Sequence, residues 1–190
     1  MIKRCKKIIR VYYKECRMCI YFGQKRLAKK FKIRRQFVPI KIEQHNSSTL
    51  IIFQAPGINE LNNGKAIQSS KKRGGSAGRR IEASWKRVGK SRGDFDIVEA
   101  VRCYPGERKN GRDKKPRKKS IECCSRILER EINNGNYFKI IAFGVIAQEM
   151  LKEISIKNKC VIINATHPNG GISNADLDFC LLYTSDAADD

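Results

Sequence analysis

Four cysteines stand at spacings that could serve one inorganic group. Cys16 and Cys19 form a Cys-x-x-Cys pair, a spacing used by zinc sites, iron-sulfur clusters and redox dithiols, and found as well in two plain core thiols. Cys103 and Cys124 have twenty residues between them, unlike the second tight pair of a zinc ribbon. Four thiolates drawn from distant segments suit a cubane cluster, with zinc and unligated thiols as the rival readings. Cys123 is the fallback for Cys124, and Cys5 and Cys160 have no assigned role. His167, one of two histidines, precedes Pro168; its imidazole is either a hydrogen-bond donor at a site or a surface turn residue. Glu60 follows Pro56-Gly57 by a few residues in a polar stretch that reads as a loop.

These residues need a frame, and apolar runs supply it. TLIIF before Gln54, FDIVEAVRC up to Tyr104-Pro105, FKIIAF before Gly144 and CVIINA before Thr166-His167 are dense in branched and aromatic residues, as strands covered on both faces are. Between them, SAGRRIEASWKRVG places Ile81, Trp85 and Val88 at helical spacing before Gly89. SIECCSRILEREI opens on Ser120 as a capping residue and sets Ile121, Cys124, Ile127, Leu128 and Ile132 on one stripe. VIAQEMLKEI is a third helix. Strands alternating with helices predict an α/β fold: a three-layer α/β/α sandwich with a central four-stranded parallel sheet and right-handed crossovers. In such sheets ligands bind beyond the carboxyl ends of the strands. Those ends carry Gln54, Ala55, Pro56 and Gly57, then Arg102 to Pro105, Gly144, and Thr166 to Pro168.

Lys and Arg number 40 against 19 Asp and Glu, a formal charge of +21, which calls for a polyanionic partner. Glu107 to Lys119 holds eight basic residues against two acids, and Ser69 to Arg80 interleaves Lys and Arg with Gly. Lys71, Lys72, Arg73, Lys114, Lys115, Arg117, Lys118 and Lys119 are the candidate phosphate contacts; the bland reading is a solvated charge run. A P-loop is excluded, because six residues separate Gly57 from Gly64-Lys65 and Ala66 follows. No apolar run approaches the ~18 residues of a membrane span, so no membrane association is expected. The start lacks a signal-peptide core, and eight cysteines then fit a reducing, cytoplasmic setting.

Read together, the strand ends resemble the uracil-DNA glycosylase superfamily, and most of all its iron-sulfur branch, family 4. Cys16-Arg17-Met18-Cys19 resembles the opening Cys-x-x-Cys, and Gln54-Ala55-Pro56-Gly57 with Glu60 the Gly-Glu-Ala-Pro-Gly motif and its following acid. Gly75-Ser76-Ala77-Gly78, Arg102-Cys103-Tyr104-Pro105, Cys124 ahead of Leu128, Ile140 to Ala147 and His167-Pro168 follow in the family's order.

The resemblance implies a DNA glycosylase of base excision repair. Such an enzyme flips uracil or a related deaminated base from damaged or single-stranded DNA and hydrolyses its N-glycosyl bond. It implies a 4Fe-4S cluster on Cys16, Cys19, Cys103 and Cys124, with zinc the lesser alternative and a structural rather than chemical role. By analogy His167 donates to the base oxygen that gains charge, and Glu60 orients or activates water. Gln54, Ala55, Pro56, Gly57, Glu99 and Asn169 line the base pocket. No lysine in these motifs calls for a Schiff base, so a monofunctional, monomeric hydrolase is expected. Two departures stand out. Glu99 occupies the family's Asn position, and an ionised carboxylate repels the uracil O4 carbonyl unless it is protonated. The aromatic residue that stacks on the base is not obvious, Ala66-Ile67 lying nearest. A non-catalytic iron-sulfur nucleic-acid-binding protein of the same fold is the alternative.

The last eleven residues, Cys180 to Asp190, lack the basic bias of the rest and resemble a translated sequencing adaptor. The expected division is therefore 1–46, a basic arm carrying the Cys-x-x-Cys; 47–179, a glycosylase-like α/β domain truncated at its C-terminus; and 180–190, an imported tail.

Overall fold

The four apolar runs become strands because each can bury both faces of its pleat. In the computed structural model, which describes residues 14–22, 39–69 and 76–182, β1 is Thr49–Phe53, β2 Asp96–Glu99, β3 Lys139–Phe143 and β4 Val161–Ala165. They form one parallel sheet in the order β2-β1-β3-β4. Helices α1 (Ile58–Asn63), α2 (Ala77–Arg87), α3 (Lys118–Asn134), α4 (Val145–Glu153) and α5 (Asn174–Leu182) connect and follow the strands.

Successive strand residues point to opposite faces, and two separate cores result. Ile51, Phe53, Ile141 and Phe143 meet Ile81 and Trp85 of α2 and Leu177 and Leu181 of α5. Leu50, Ile52, Ile140 and Ala142 meet Cys124, Leu128 and Ile132 of α3 and Ala147, Met150 and Leu151 of α4. This is the α/β/α sandwich the sequence predicts. After β1 the chain moves to β2 on one side, and after β3 to β4 on the other. The switch between β1 and β3 opens a crevice at their carboxyl ends.

Several boundaries differ from expectation. β2 stops at Glu99, short of Arg102 to Pro105, because the Ala100 and Val101 amides donate to the carbonyls of Phe53 and Gln54 and carry the chain over the end of β1. Ser120 is not a cap. It lies buried in the first turn of α3, where its hydroxyl accepts from the Cys19 thiol at 3.8 Å, while the Tyr21 hydroxyl accepts the Arg117 amide at 3.1 Å. Residues 40–43 run against the outer edge of β2, with Glu43 and Ile97 exchanging amide hydrogen bonds of 2.8 and 2.9 Å. The α/β unit therefore begins before position 47, and the arm is tied on by an ion pair of 2.9 Å between Glu15 and Arg130 of α3. At the other end, α5 crosses the boundary expected after 179. Cys180 and Leu181 are buried in the core, and the Lys139 ammonium donates to the Leu181 carbonyl at 3.4 Å. Residues 183–190 lie outside the described residues. Among the described residues no helix is long and apolar enough to cross a membrane.

Candidate active site

The crevice holds a cavity of about 320 Å³ lined by Phe53, Gln54, Ala55, Pro56, Gly57, Glu60, Glu99, His167 and Asn169, with Ile67, Gln68 and the Ser76-Ala77-Gly78 start of α2. Every pocket residue singled out in the sequence is thus on its wall. The volume lies at the low end of the ~300–1,000 Å³ usual for small-ligand sites.

Each wall has a local cause. The Ser76 hydroxyl caps α2 by accepting the Arg79 amide at 3.2 Å. A side chain on Gly78 would meet the Gln68 carbonyl at 2.3 Å, so only glycine lets the 66–69 loop pack against that helix start. Ile67, in that loop, has a φ of 37°, a costly backbone for a β-branched residue. It is held there by its neighbours. Its amide donates to Glu99 Oε1 at 3.3 Å, and the carbonyls of Ile67 and Ala66 accept from the Arg92 guanidinium at 2.9 and 2.6 Å.

Three carboxyls face the cavity. Glu60 lies in helix α1 rather than a solvated loop, and it is buried. Its Oε2 accepts the Gly57 amide at 3.0 Å and its Oε1 the Gln68 amide at 2.7 Å, so it fastens the motif after β1 to the 66–69 loop. Glu99, at the end of β2, is 2% exposed, and its Oε2 has no hydrogen-bond partner among the described residues. Burial, with Glu60 adding, pushes its carboxyl up to about 8, against the pull of the Ile67 amide and the Arg102 and Arg92 charges. Asp113, from the basic 107–119 segment, was not singled out in the sequence. Burial raises its carboxyl, opposed by the Tyr104 hydroxyl bonded to it. The only signal for it was an acid inside a run of cations.

His167 follows β4. The Asn169 amide donates to its Nδ1 at 3.3 Å, which leaves the proton on Nε2. Burial lowers its pKa, so the ring is neutral at pH 7. Its Cβ packs over Gly144, whose φ of 89° and 3.2 Å clearance exclude a larger residue. Phe53, the last residue of β1, is an aromatic residue on the wall that the sequence reading did not single out, and it stacks on Phe143 with ring centroids 5.2 Å apart.

Behind the pocket lies a second group. Cys16, Cys103 and Cys124 are buried and Cys19 half-buried, all as free thiols. Burial pushes Cys16 up to about 12, with Cys124 and Cys19 adding to it. Cys103 is raised by burial and then by Cys124, Cys19 and Cys16. Burial likewise lifts Cys124 to about 11, against the Arg102 backbone and charge. The four thiols therefore sense one another. Cys123 is less buried; burial and then Cys19 raise it, and it adds in turn to the rise at Cys124. Among the described residues no three His, Cys, Asp or Glu side chains close on a single metal ion. Of the candidate phosphate contacts, Lys114 lines the cavity and Lys115, Arg117, Lys118 and Lys119 are exposed at the start of α3. Lys71, Lys72 and Arg73 lie outside the described residues.

A model of the uracil DNA glycosylase superfamily matches residues 40–184. The chain is also similar to the Type-4 uracil-DNA glycosylase of Pyrobaculum aerophilum, at 26% identity over 161 residues, covering 80% of this chain and 72% of that protein.

Proposed function

This chain belongs to the uracil-DNA glycosylase superfamily, and we infer that its crevice binds a base flipped from DNA and hydrolyses the N-glycosyl bond. The observation that carries this reading is the single cavity gathering Gln54 to Gly57, Glu99, His167 and Asn169 from the ends of three strands. Bond cleavage leaves negative charge on the base and positive charge on the sugar. Neutral His167 donates from Nε2 to the base oxygen, and its tautomer is already fixed by the Asn169 amide. The acidic wall formed by Glu60 and Asp113 faces the sugar on which positive charge grows. Glu60 has both oxygens on backbone amides and contributes position and charge; Asp113, held by one hydroxyl, is the freer acceptor for the attacking water.

Cys16, Cys19, Cys103 and Cys124 would hold a 4Fe-4S cluster. Its support is a set of free thiols brought together from three segments. These four thiolates would hold a polynuclear iron-sulfur core, with zinc as the lesser alternative. When bound, the cluster ties residues 14–22 to the sheet and supplies no step of the hydrolysis. Lys114 to Lys119 receive DNA phosphates beside the cavity.

Base release from uracil-containing DNA tests the reading. The wild type is expected to free uracil, and His167→Ala to lower kcat ~10²–10³-fold with DNA affinity kept. Binding without release from uracil, hypoxanthine or xanthine DNA would leave a non-catalytic DNA-binding protein.

A further inference from the structure

Among the described residues the wall of the base pocket contains one buried polar atom without a hydrogen-bond partner. Glu99 lines the cavity, and its Oε2 is buried without a partner among the described residues, while Oε1 of the same carboxyl accepts the Ile67 amide. A buried ionised oxygen in that position would be an uncompensated charge. We propose that Glu99 is the specificity-determining residue of this pocket and acts as a neutral carboxylic acid, its Oε2 hydroxyl donating to a base carbonyl while Oε1 accepts the adjacent ring N–H. The inference rests on the glycosylase reading of the same cavity.

Two features of the chain support the protonated form and fix its direction. The Ile67 amide approaches Oε1, so Oε1 is the carbonyl oxygen and Oε2 carries the proton. An acid free to exchange its two oxygens reads either a lactam, with N–H beside C=O, or an amidine, with an acceptor nitrogen beside NH2. Pinned in this way it reads one pattern. The bases selected are those that present a ring N–H next to a carbonyl, which is the product of deaminating an amino base. The strained Ile67 backbone thereby has a role, because it orients the acid.

The charged and titratable groups around Glu99 come from every side. Glu60 of α1 and Asp113 of the 107–119 segment favour the protonated form; Arg92, from the turn before β2, Arg102, after β2, and Lys114 favour ionisation; His167, after β4, is neutral at pH 7. Burial outweighs the arginines, and the carboxyl stands near 8. Its folded value lies above its ordinary one, so the donor is present below about pH 8 and lost above it.

The test is the rate of uracil release, as kcat/KM, from pH 6 to 9.5 for wild type, Glu99→Gln and Glu99→Ala. Glutamine keeps an acceptor at Oε1 and a donor at the other position but does not titrate. The ratio of Glu99→Gln to wild type cancels every other titration and is expected to rise ~10-fold per pH unit above about 8. Glu99→Ala is expected to lie ~100-fold below Glu99→Gln at all pH values, from the lost donor and acceptor together. Melting temperatures give a readout apart from activity. The folded chain holds a proton that the unfolded chain releases between about 4.5 and 8, so Glu99→Gln gains on wild type as pH rises through that window. A ratio flat to pH 9.5, or Glu99→Gln as damaged as Glu99→Ala, overturns the proposal while uracil release by the wild type leaves the glycosylase reading standing. Wild type inert on every deaminated base at pH 6 overturns both.

Discussion

Glu99 and Cys103 belong to one short segment, one at the floor of the pocket and the other among the thiols; burial raises both, and the buried Arg102 guanidinium opposes the rise in both. The pocket is organised by the chain itself. Glu60 has two backbone donors, His167 has one on Nδ1, and Glu99 has one on Oε1. The thiol corner is organised by burial. Its sulfurs resist ionisation first because burial disfavours the thiolate and then because neighbouring sulfurs add to the rise, with the Arg102 charge opposing it. A region whose polar groups already have partners is preorganised for chemistry. A region of crowded neutral thiols gains most from a cation that turns them into ligands. Damage to the first should therefore cost rate, and damage to the second should cost fold.

The largest effect that sharpens this contrast is at Cys124. Cys124→Ser is expected to remove the visible absorption of an anaerobically prepared protein. It should also lower stability by several kcal/mol, read as a fall in melting temperature, since ligand loss removes binding energy that contributes to folding. Cys123→Ser, on the less buried side of the same helix, should leave spectrum and stability near wild type. Bleaching by Cys123→Ser with Cys124→Ser unchanged would reverse the ligand assignment. A colourless wild type would remove the cluster and make the corner an ordinary core.

How much of this was legible in the sequence follows from what sets each feature. The strands and the two-sided cores were readable because runs such as Leu50 to Phe53 can only be buried on both faces. The pocket wall was readable because the motifs sit at strand ends, and a parallel sheet brings strand ends together. Three things were not. Glu60 read as a loop acid because six residues of helix show no periodicity, and its two backbone donors come from positions three and eight residues away. Asp113 was hidden in a cationic run and meets the Tyr104 hydroxyl at the edge of the cavity, a contact that no spacing announces. The course of α5 was hidden because composition marks off Cys180 and Leu181, whereas Ser84 and Arg87 of α2 grip Asp178 and carry α5 onto the core.

A smaller effect comes from Glu60, whose two contacts make it the clasp of the pocket. Glu60→Gln replaces one acceptor by an amide that faces a backbone N–H. A loss of ~1–3 kcal/mol in stability is expected, together with a raised KM as the 66–69 loop loosens. The variant discriminates between clasp and catalytic base. A clasp raises KM and lowers melting temperature with kcat within a few-fold of wild type. A base lowers kcat by ~10²-fold or more with melting temperature held. The same measurements on Asp113→Asn should show the second pattern, because that carboxyl has one hydroxyl partner rather than two backbone amides.

The smallest effect per residue belongs to the cations at the start of α3, which stand beside the pocket yet in a different electrostatic regime. Lys115, Arg117, Lys118 and Lys119 are exposed, so water screens them and none should alter the fold. On single-stranded DNA each phosphate neutralised contributes ~0.7 to the slope of log K against log salt. Replacing Lys118 and Lys119 together by Gln should therefore flatten that slope by ~1.4 if both touch phosphate, with kcat at saturating DNA unchanged. The measurement is a salt titration of DNA affinity for wild type and variant at one pH. A slope that does not move assigns those charges to solubility, and one that falls together with kcat means that the start of α3 positions the pocket as well as the strand.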